Sequence, residues 1–246
     1  MIDPRPAAVA GKLAGVKRIL AFAGAKGGVG KTICAVGSAL ALSAAGKRTG
    51  LLDLDFQGAS AHILLGAELS FPEEASGIKP FTVAGGLELM SIAAFSGERP
   101  VPLRGTSVTE AILELLAVTV WGRLEFLIID MPPGSGDEVL DLIRYVARAE
   151  FVLVTTLSPL ALPVGGRLLR LLEELGVPVL GLIENMAPGP RRAREGAQAK
   201  TAEPLLALPL LGRLPYDPDL DRLIGDPRAL MGSCLGRELS KIAARL

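Results

Sequence analysis

The chain has 246 residues, of which 50% are hydrophobic and 21% are charged. This size and composition allow a large buried core and predict a single globular α/β domain. The 26 basic and 26 acidic side chains cancel, so the overall charge favours neither a nucleic acid nor a membrane as partner, and either would need a local patch.

Targeting signals and cysteines give further expectations. The sequence has no charged, apolar and small-residue signal peptide and no run of about 18 apolar residues, so we expect a cytoplasmic protein. Cys34 and Cys234 are far apart in sequence and form no Cys-x-x-Cys pair, which excludes a disulfide framework. We interpret Cys34 as a small core residue and Cys234 as an incidental thiol.

Residues 1–16 lack a periodic pattern and predict a loose arm or a partly helical extension, with the main domain at 17–246. Apolar runs predict buried strands at 18–23, 49–53, 87–92, 126–130, 151–155, 177–184 and 208–213. Amphipathic stretches predict helices at 31–45, 106–120, 137–147, 163–175, 195–206 and 232–246. This alternation predicts a mostly parallel sheet with helices on both faces, which binds ligands at the carboxyl ends of its strands.

Two polar stretches interrupt the alternation. Residues 66–86 contain several prolines and glycines and predict a surface excursion with a short strand pair. Residues 187–200 contain four basic side chains, and we interpret them as a solvated loop and the start of a helix. The first stretch indicates no chemistry.

A glycine-rich stretch joins the first predicted strand to the first long predicted helix. Its glycines let successive backbone N–H groups face phosphate oxygens, and the helix N-terminus adds a positive end. In this context the ending Gly-Lys-Thr predicts a P-loop that binds ATP, with Lys31 on the β- and γ-phosphates and the Thr32 hydroxyl on Mg²⁺. The predicted nucleotide-binding residues of the loop are Gly27, Gly28, Val29, Gly30, Lys31, Thr32 and Ile33.

Carboxylates and one amide follow other predicted strands. Asp53 and Asp55 end one strand and lie on the same side of the chain, since one residue separates them. Asp130 follows four apolar residues, which is the Walker B arrangement of a Mg²⁺ ligand. Asn185, the sole asparagine, offers a donor and an acceptor to an adenine edge. The alternative for each is a turn residue.

The string Lys-Gly-Gly-Val-Gly-Lys-Thr at 26–32 resembles the deviant Walker A motif of the MinD, ParA, Mrp and nitrogenase-iron-protein group of ATPases. The resemblance implies a P-loop NTPase fold and slow ATP hydrolysis. It also implies that Lys26 reaches the nucleotide of a second copy, so that the ATP state is a homodimer. Ala25 replaces the first glycine of the general pattern, as in some members of the group.

Three further strings extend the resemblance. Asp-Leu-Asp-Phe-Gln-Gly at 53–58 is similar to switch I, which implies that Asp55 positions or activates the attacking water and that Asp53 supports the Mg²⁺ shell. Asp-Met-Pro-Pro-Gly-Ser-Gly-Asp at 130–137 and Glu-Asn-Met at 184–186 resemble switch II and the adenine-contacting segment of the Mrp-like branch. By the same resemblance, Asn185 contacts adenine, and Pro215 and Asp217 line the base pocket.

The sequence departs from the Mrp-like pattern at the residues that would bind an iron–sulfur cluster. Mrp-like carriers have a Cys-x-x-Cys shortly after Glu-Asn-Met, and two chains share one [4Fe–4S] cluster through these thiolates. Residues 187–194 contain no cysteine here, so we do not expect a bound iron–sulfur cluster. His62, the sole histidine, is interpreted as a non-ligand side chain.

The sequence therefore predicts a Mg-ATP-dependent switch that resembles Mrp-type cluster carriers, with an unknown protein partner. The alternative is a MinD- or ParA-type positioning ATPase on membrane or DNA. A membrane version would need an amphipathic C-terminal helix with aromatic residues, which 232–246 lacks. A DNA version would depend on the arginines of 191–194. A third reading, a clamp with negligible turnover, is disfavoured by the intact Lys26, Asp55 and Asp130.

Overall fold

The computed structural model describes residues 3–72, 74–75, 77–96, 106–134, 136–187 and 203–246. The strands are β1 (Arg18–Ala23), β2 (Thr49–Asp53), β3 (Glu74–Ala75), β4 (Gly77–Ile78), β5 (Phe81–Thr82), β6 (Glu88–Ser91), β7 (Phe126–Asp130), β8 (Ala149–Thr155), β9 (Val179–Ala187) and β10 (Leu210–Pro215). The α-helices are α1 (Arg5–Leu13), α2 (Lys31–Ala44), α3 (Ala61–Leu64), α4 (Ala93–Ser96), α5 (Thr106–Val118), α6 (Asp137–Tyr145), α7 (Ala161–Glu174), α8 (Glu203–Ala207), α9 (Pro227–Gly232) and α10 (Cys234–Ala243).

Eight strands form one sheet in the order β10-β9-β8-β1-β7-β2-β6-β5. All neighbouring pairs are parallel except β5 with β6. The predicted mostly parallel sheet with helices on both faces is thus confirmed. Because β1, β7 and β2 are neighbours, their carboxyl ends meet at one edge of the sheet, where ligands of such sheets bind.

The central strands are apolar on both faces because helices cover both. Ile19 and Ala21 belong to one buried cluster, together with residues of α5, α6 and α7. Leu20 and Phe22 belong to a second cluster, with residues of α2 and α10. This alternation follows from the period of two in a strand and explains why β1 has no polar face.

Some predicted elements lie partly outside the described residues or differ in extent. The predicted helix at 195–206 is described only from residue 203, as α8, and most of the polar stretch 187–200 lies outside the described residues. The excursion at 66–86 contains the antiparallel pair β3–β4 and the edge strand β5. Among the described residues no helix is long and apolar enough to cross a membrane.

The N-terminal stretch is partly helical, which is one of the two alternatives that the sequence leaves open. Residues 5–13 form α1, which packs on α5 and buries Val9 and Leu13 in the same cluster as the sheet. The guanidinium of Arg148 donates to the carbonyl oxygens of Leu13 and Val16 and ties the end of the helix to the start of β8. Hydrophobic contacts and these hydrogen bonds therefore join α1 to the main domain.

Replacement of Leu13 by alanine tests this attachment. Leu13→Ala is expected to lower the free energy of unfolding by about 2–4 kcal/mol, because it leaves a cavity beneath α1. Urea unfolding followed by circular dichroism measures the change. The control Ala10→Ser, at an exposed position of the same helix, should change it by less than about 0.5 kcal/mol. If the two variants changed the free energy of unfolding equally, residues 5–13 would not be packed on the main domain.

Candidate nucleotide site

The glycine-rich loop connects the central strand β1 to α2. Gly28 and Gly30 have φ angles of +77° and +80°, in the left-handed region that favours glycine. Gly30 caps α2 without any side-chain hydrogen bond to the helix, so the first N–H groups of α2 have no capping side chain. Open space surrounds the Cα atoms of Gly27 and Gly28 where a side chain would stand. The loop therefore has the free N–H groups and the room that a phosphate needs.

Lys31, the first residue of α2, forms a buried ion pair at the loop. Its Nζ atom lies 2.5 Å from Oδ1 of Asp130, and the two side chains are only 6% and 0% exposed. β1 and β7 bring them together, since Asp130 ends the strand beside β1. The P-loop lysine and the Walker B aspartate that the sequence predicts thus lie in contact.

Asp130 has an oxygen available for a cation. Its Oδ2 atom is buried without a hydrogen-bond partner in the described part of the chain. Burial raises the pKa of Asp130, whereas the charge and hydrogen bond of Lys31 and a hydrogen bond from Thr32 lower it. An unpartnered buried carboxylate oxygen beside the Thr32 hydroxyl fits Mg²⁺, which takes one or two protein ligands together with phosphate oxygens and water.

Asp53 is fully buried and pairs in register with Asp130 on the neighbouring strand. Its Oδ1 accepts the N–H of Asp55 (3.1 Å), and its Oδ2 accepts the N–H of Ala61 (3.2 Å) and the hydroxyl of Ser91 (3.4 Å). Burial and the charge of Asp130 raise the pKa of Asp53 to about 7, against the lowering effect of the backbone hydrogen bonds. Asp53 therefore stabilises the segment after β2 through hydrogen bonds. Its part in a Mg²⁺ shell stays a prediction.

Asp55 lies in that segment and is half-buried. Its Oδ1 atom accepts the N–H groups of Gln57 (3.2 Å) and Gly58 (2.9 Å), which fixes a tight turn. Its charge also acts on Asp130 and raises the pKa of that carboxyl. The carboxylate of Asp55 is thus close to that of Asp130, as expected from two strands that end at the same edge of the sheet.

The segment after β7 is tied to the phosphate loop through backbone hydrogen bonds. Met131 donates to the carbonyl oxygen of Phe22 (3.1 Å), and Gly134 donates to that of Gly24 (3.0 Å). Gly134 has a φ of +115°, which other residues rarely adopt. A movement of the phosphate loop would therefore act directly on residues 130–134.

The side chain of Asn185 also contacts the phosphate loop. Its Nδ2 atom donates to the carbonyl oxygen of Val29 (2.8 Å), and the side chain is buried. A Cβ atom on Gly30 would lie 2.0 Å from the same nitrogen. The contact of Asn185 with adenine stays a prediction, but the structure gives it a second contact that the sequence did not indicate.

The remaining predicted residues are spread around this core of the site. Lys26 is exposed on the loop, and Ile33 is buried in α2. Pro215 ends β10 beside Ala187 of β9, and Asp217 accepts the N–H of Asp219 in the loop that follows. The part of Pro215 and Asp217 in a base pocket stays a prediction.

Cys34 lies one turn after the P-loop lysine and is fully buried. Burial and the charge of Asp130 raise the pKa of its thiol, against a lowering by Lys31, so the thiolate form is disfavoured. Cys234 is exposed at the start of α10. Among the described residues no group of three or more His, Cys, Asp or Glu side chains is placed to hold a metal ion.

The loop, the helix N-terminus and the Lys31–Asp130 pair define a P-loop NTPase. A family profile described as ParA, NUBPL iron-transfer P-loop NTPase matches residues 15–243. The chain belongs to this family, which confirms the expected kinship with MinD, ParA and Mrp proteins.

Curated relatives carry cluster-carrier names. The iron-sulfur cluster carrier protein of Pseudomonas fragi is 42% identical over 179 aligned residues, and the match covers 71% of this chain and 62% of that protein. The iron-sulfur cluster carrier protein of Methanocaldococcus jannaschii is 32% identical over 246 residues, covering 94% of this chain and 84% of the relative. The chain thus spans less than two thirds of the Pseudomonas protein.

Solved structures share the fold. The nucleotide-binding protein of Archaeoglobus fulgidus, in complex with ADP, superposes with a TM-score of 0.75 at 26% identity, covering 95% of this chain and 96% of the other. The cell division ATPase MinD of Pyrococcus furiosus gives a TM-score of 0.67 at 21% identity, covering 93% and 97%. At that identity the MinD likeness shows the fold alone.

Alanine at Gly30 tests the contact between the loop and Asn185. Gly30→Ala is expected to lower the free energy of unfolding by at least about 2 kcal/mol, because the left-handed backbone alone costs about 1–2 kcal/mol and Asn185 must also move. Gly27→Ala, which meets no atom within 4 Å, should cost less than about 0.5 kcal/mol. Chemical unfolding without nucleotide compares them, and similar losses would show that Gly30 has no special role.

Proposed function

We propose that this chain is a slow Mg-ATP-hydrolysing switch, a homodimer in its ATP state, which acts in the handling of iron–sulfur clusters. The observation that carries the proposal is the uncapped N-terminus of α2 beside the buried Lys31–Asp130 pair. Backbone N–H groups and one lysine meet there with an unpartnered carboxylate oxygen. This arrangement suits a triphosphate with its cation.

Each part of the site has a role in the proposed reaction. The N–H groups of the loop and Lys31 bind and orient the β- and γ-phosphates. Thr32 and Asp130, with support from Asp53, would hold Mg²⁺, which neutralises charge on the phosphate oxygens. Asp55 orients the attacking water and accepts its proton, and Lys26 of a second copy reaches the phosphates. Hydrolysis then depends on dimer formation, which makes the nucleotide cycle a switch.

The cargo is proposed from the relatives. Proteins named iron-sulfur cluster carriers match most of the chain, and the family description includes iron transfer. The two cysteines of the sequence are one buried core thiol and one exposed thiol, and this supports the proposal that the chain does not hold a cluster of its own. We infer that the cluster is a substrate carried by a partner protein, whose binding the ATP state controls.

A positioning ATPase on a membrane is less well supported. The apolar face of α10, formed by Leu235, Leu239 and Ile242, is buried against α2 and β10. A Cβ atom on Gly37 of α2 would collide with Leu239, and one on Gly212 of β10 would collide with Ile242. This face therefore belongs to the core and is not available to insert into lipid. The arginines considered for DNA binding at 191–194 lie outside the described residues.

Variants of Lys31 and Asp55 test the ATPase role. Lys31→Ala should abolish ATP binding, because it removes the charge that faces the β- and γ-phosphates. Asp55→Ala and Lys26→Ala should bind ATP within about threefold of the wild type but lose turnover by at least about 100-fold. Isothermal titration calorimetry and a phosphate-release assay measure these effects.

The control for this series is Arg18→Met, a change at the amino end of β1, far from the loop. It should leave ATP binding and turnover near wild-type values. Unchanged hydrolysis in Asp55→Ala would refute the role given to that residue. A rate of ATP hydrolysis per protein molecule that is the same in dilute and in concentrated solution would refute the dependence on a dimer.

Anaerobic reconstitution tests the inference about the cargo. After incubation with iron and sulfide and removal of excess reagent, we expect no stoichiometric iron and no absorbance near 400 nm, because the thiols do not form a ligand set. Cys234→Ser is the matched variant. Iron bound by the wild type and lost in Cys234→Ser would show that the chain itself carries a cluster at an interface of two copies.

A further inference from the structure

An ion pair between the last two strands of the sheet lies next to the predicted base contact. Glu184 of β9 is fully buried, and its Oε2 atom is 2.6 Å from Nε of Arg213 of β10. The two residues are register partners in parallel strands, so their side chains project from the same face of the sheet. A buried carboxylate is tolerated when a cation compensates its charge, and Arg213 provides that charge.

The residue after Glu184 is Asn185, which projects from the opposite face. Leu182 and Ile183 show the alternation, because they lie in the two different hydrophobic clusters. On that opposite face Asn185 donates to the carbonyl oxygen of Val29 in the phosphate loop. The end of β9 therefore has a polar side-chain contact on each face.

The pairing of β9 and β10 is irregular at this point, as it also is between Leu210 and Gly212. Glu184 pairs with Arg213 and Ala187 pairs with Pro215, with a register shift between the two pairs. Three steps along β9 thus match two steps along β10, so one extra residue lies in β9. Met186, inside this irregular stretch, has a φ of +51°. Such a bulge re-aims a side chain and interrupts the backbone ladder. The ion pair of Glu184 with Arg213 borders it.

From these contacts we propose that Arg213, through Glu184, is a positioning residue that sets the base preference of the nucleotide site. The carbonyl of Val29 is an acceptor, so the NH₂ side of the Asn185 amide faces it and Oδ1 lies on the other side. An acceptor at that place suits the amino group of a 6-aminopurine and disfavours the oxygen of a 6-oxopurine. The ion pair keeps the bulge, and with it this amide, in place. The proposal rests on the proposed ATP binding and on the predicted contact of Asn185 with the base, so a wild type that binds ATP and GTP equally well would overturn it.

The test compares two arginines of the same sheet. Arg213 is 38% exposed in its ion pair, and Arg18 is 35% exposed in an ion pair with Glu150 at the amino end of β1 and β8. Titration calorimetry with ATP and with GTP gives the ratio of the two dissociation constants for each variant, and thermal unfolding gives its stability. Arg213→Met should reduce the preference for ATP about tenfold, which equals about 1.4 kcal/mol. Arg18→Met should lower the melting temperature but keep the ratio within about twofold of the wild type.

Two further variants separate positioning from general stability. Arg213→Lys keeps the charge and should retain most of the preference for ATP. Glu184→Gln removes the charge with little change of shape and should reduce the preference, and it decides the matter if Arg213→Met does not fold. An unchanged ratio in Glu184→Gln, or equal ratios in Arg213→Met and Arg18→Met, would overturn the proposal. A wild type that binds neither nucleotide would instead refute the ATPase function itself.

Discussion

Parallel pairing of β7 between β1 and β2 is the constraint on which the site depends. It places Asp130 in register with Phe22 on one side and with Asp53 on the other. Since β1 leads into the phosphate loop, the same pairing brings Lys31 to Asp130. Charges that lie far apart in sequence are thereby concentrated at one edge of an otherwise apolar sheet.

Burial of these charges has a cost that the rest of the site compensates. Two carboxylates on adjacent strands repel each other, and burial raises the pKa of both. Lys31 neutralises one of them, and backbone N–H groups and a serine hydroxyl hydrogen-bond to the other. A cation would relieve the remaining repulsion. The same feature that weakens the free fold therefore favours a nucleotide with its metal.

The phosphate loop contacts several segments that follow other strands. Residues after β7 donate hydrogen bonds to the backbone carbonyls on either side of Ala23, the last residue of β1, and Asn185 of β9 donates to Val29. Two segments that are far apart in sequence therefore contact the loop or the strand that leads into it. One of them is continuous with the segment 188–202, where the relatives' cluster ligands would be expected from the resemblance.

The sequence by itself determined the alternation of strands and helices, the P-loop and the strand-ending carboxylates. Those features depend on local periodicity and on short motifs, which a single chain segment contains in full. The tertiary structure decided the attachment of α1, the hydrogen bonds of Asp53 and the pairing of Glu184 with Arg213. Each of these depends on which strand or helix becomes a neighbour, and on the register between them, so no local pattern could reveal it.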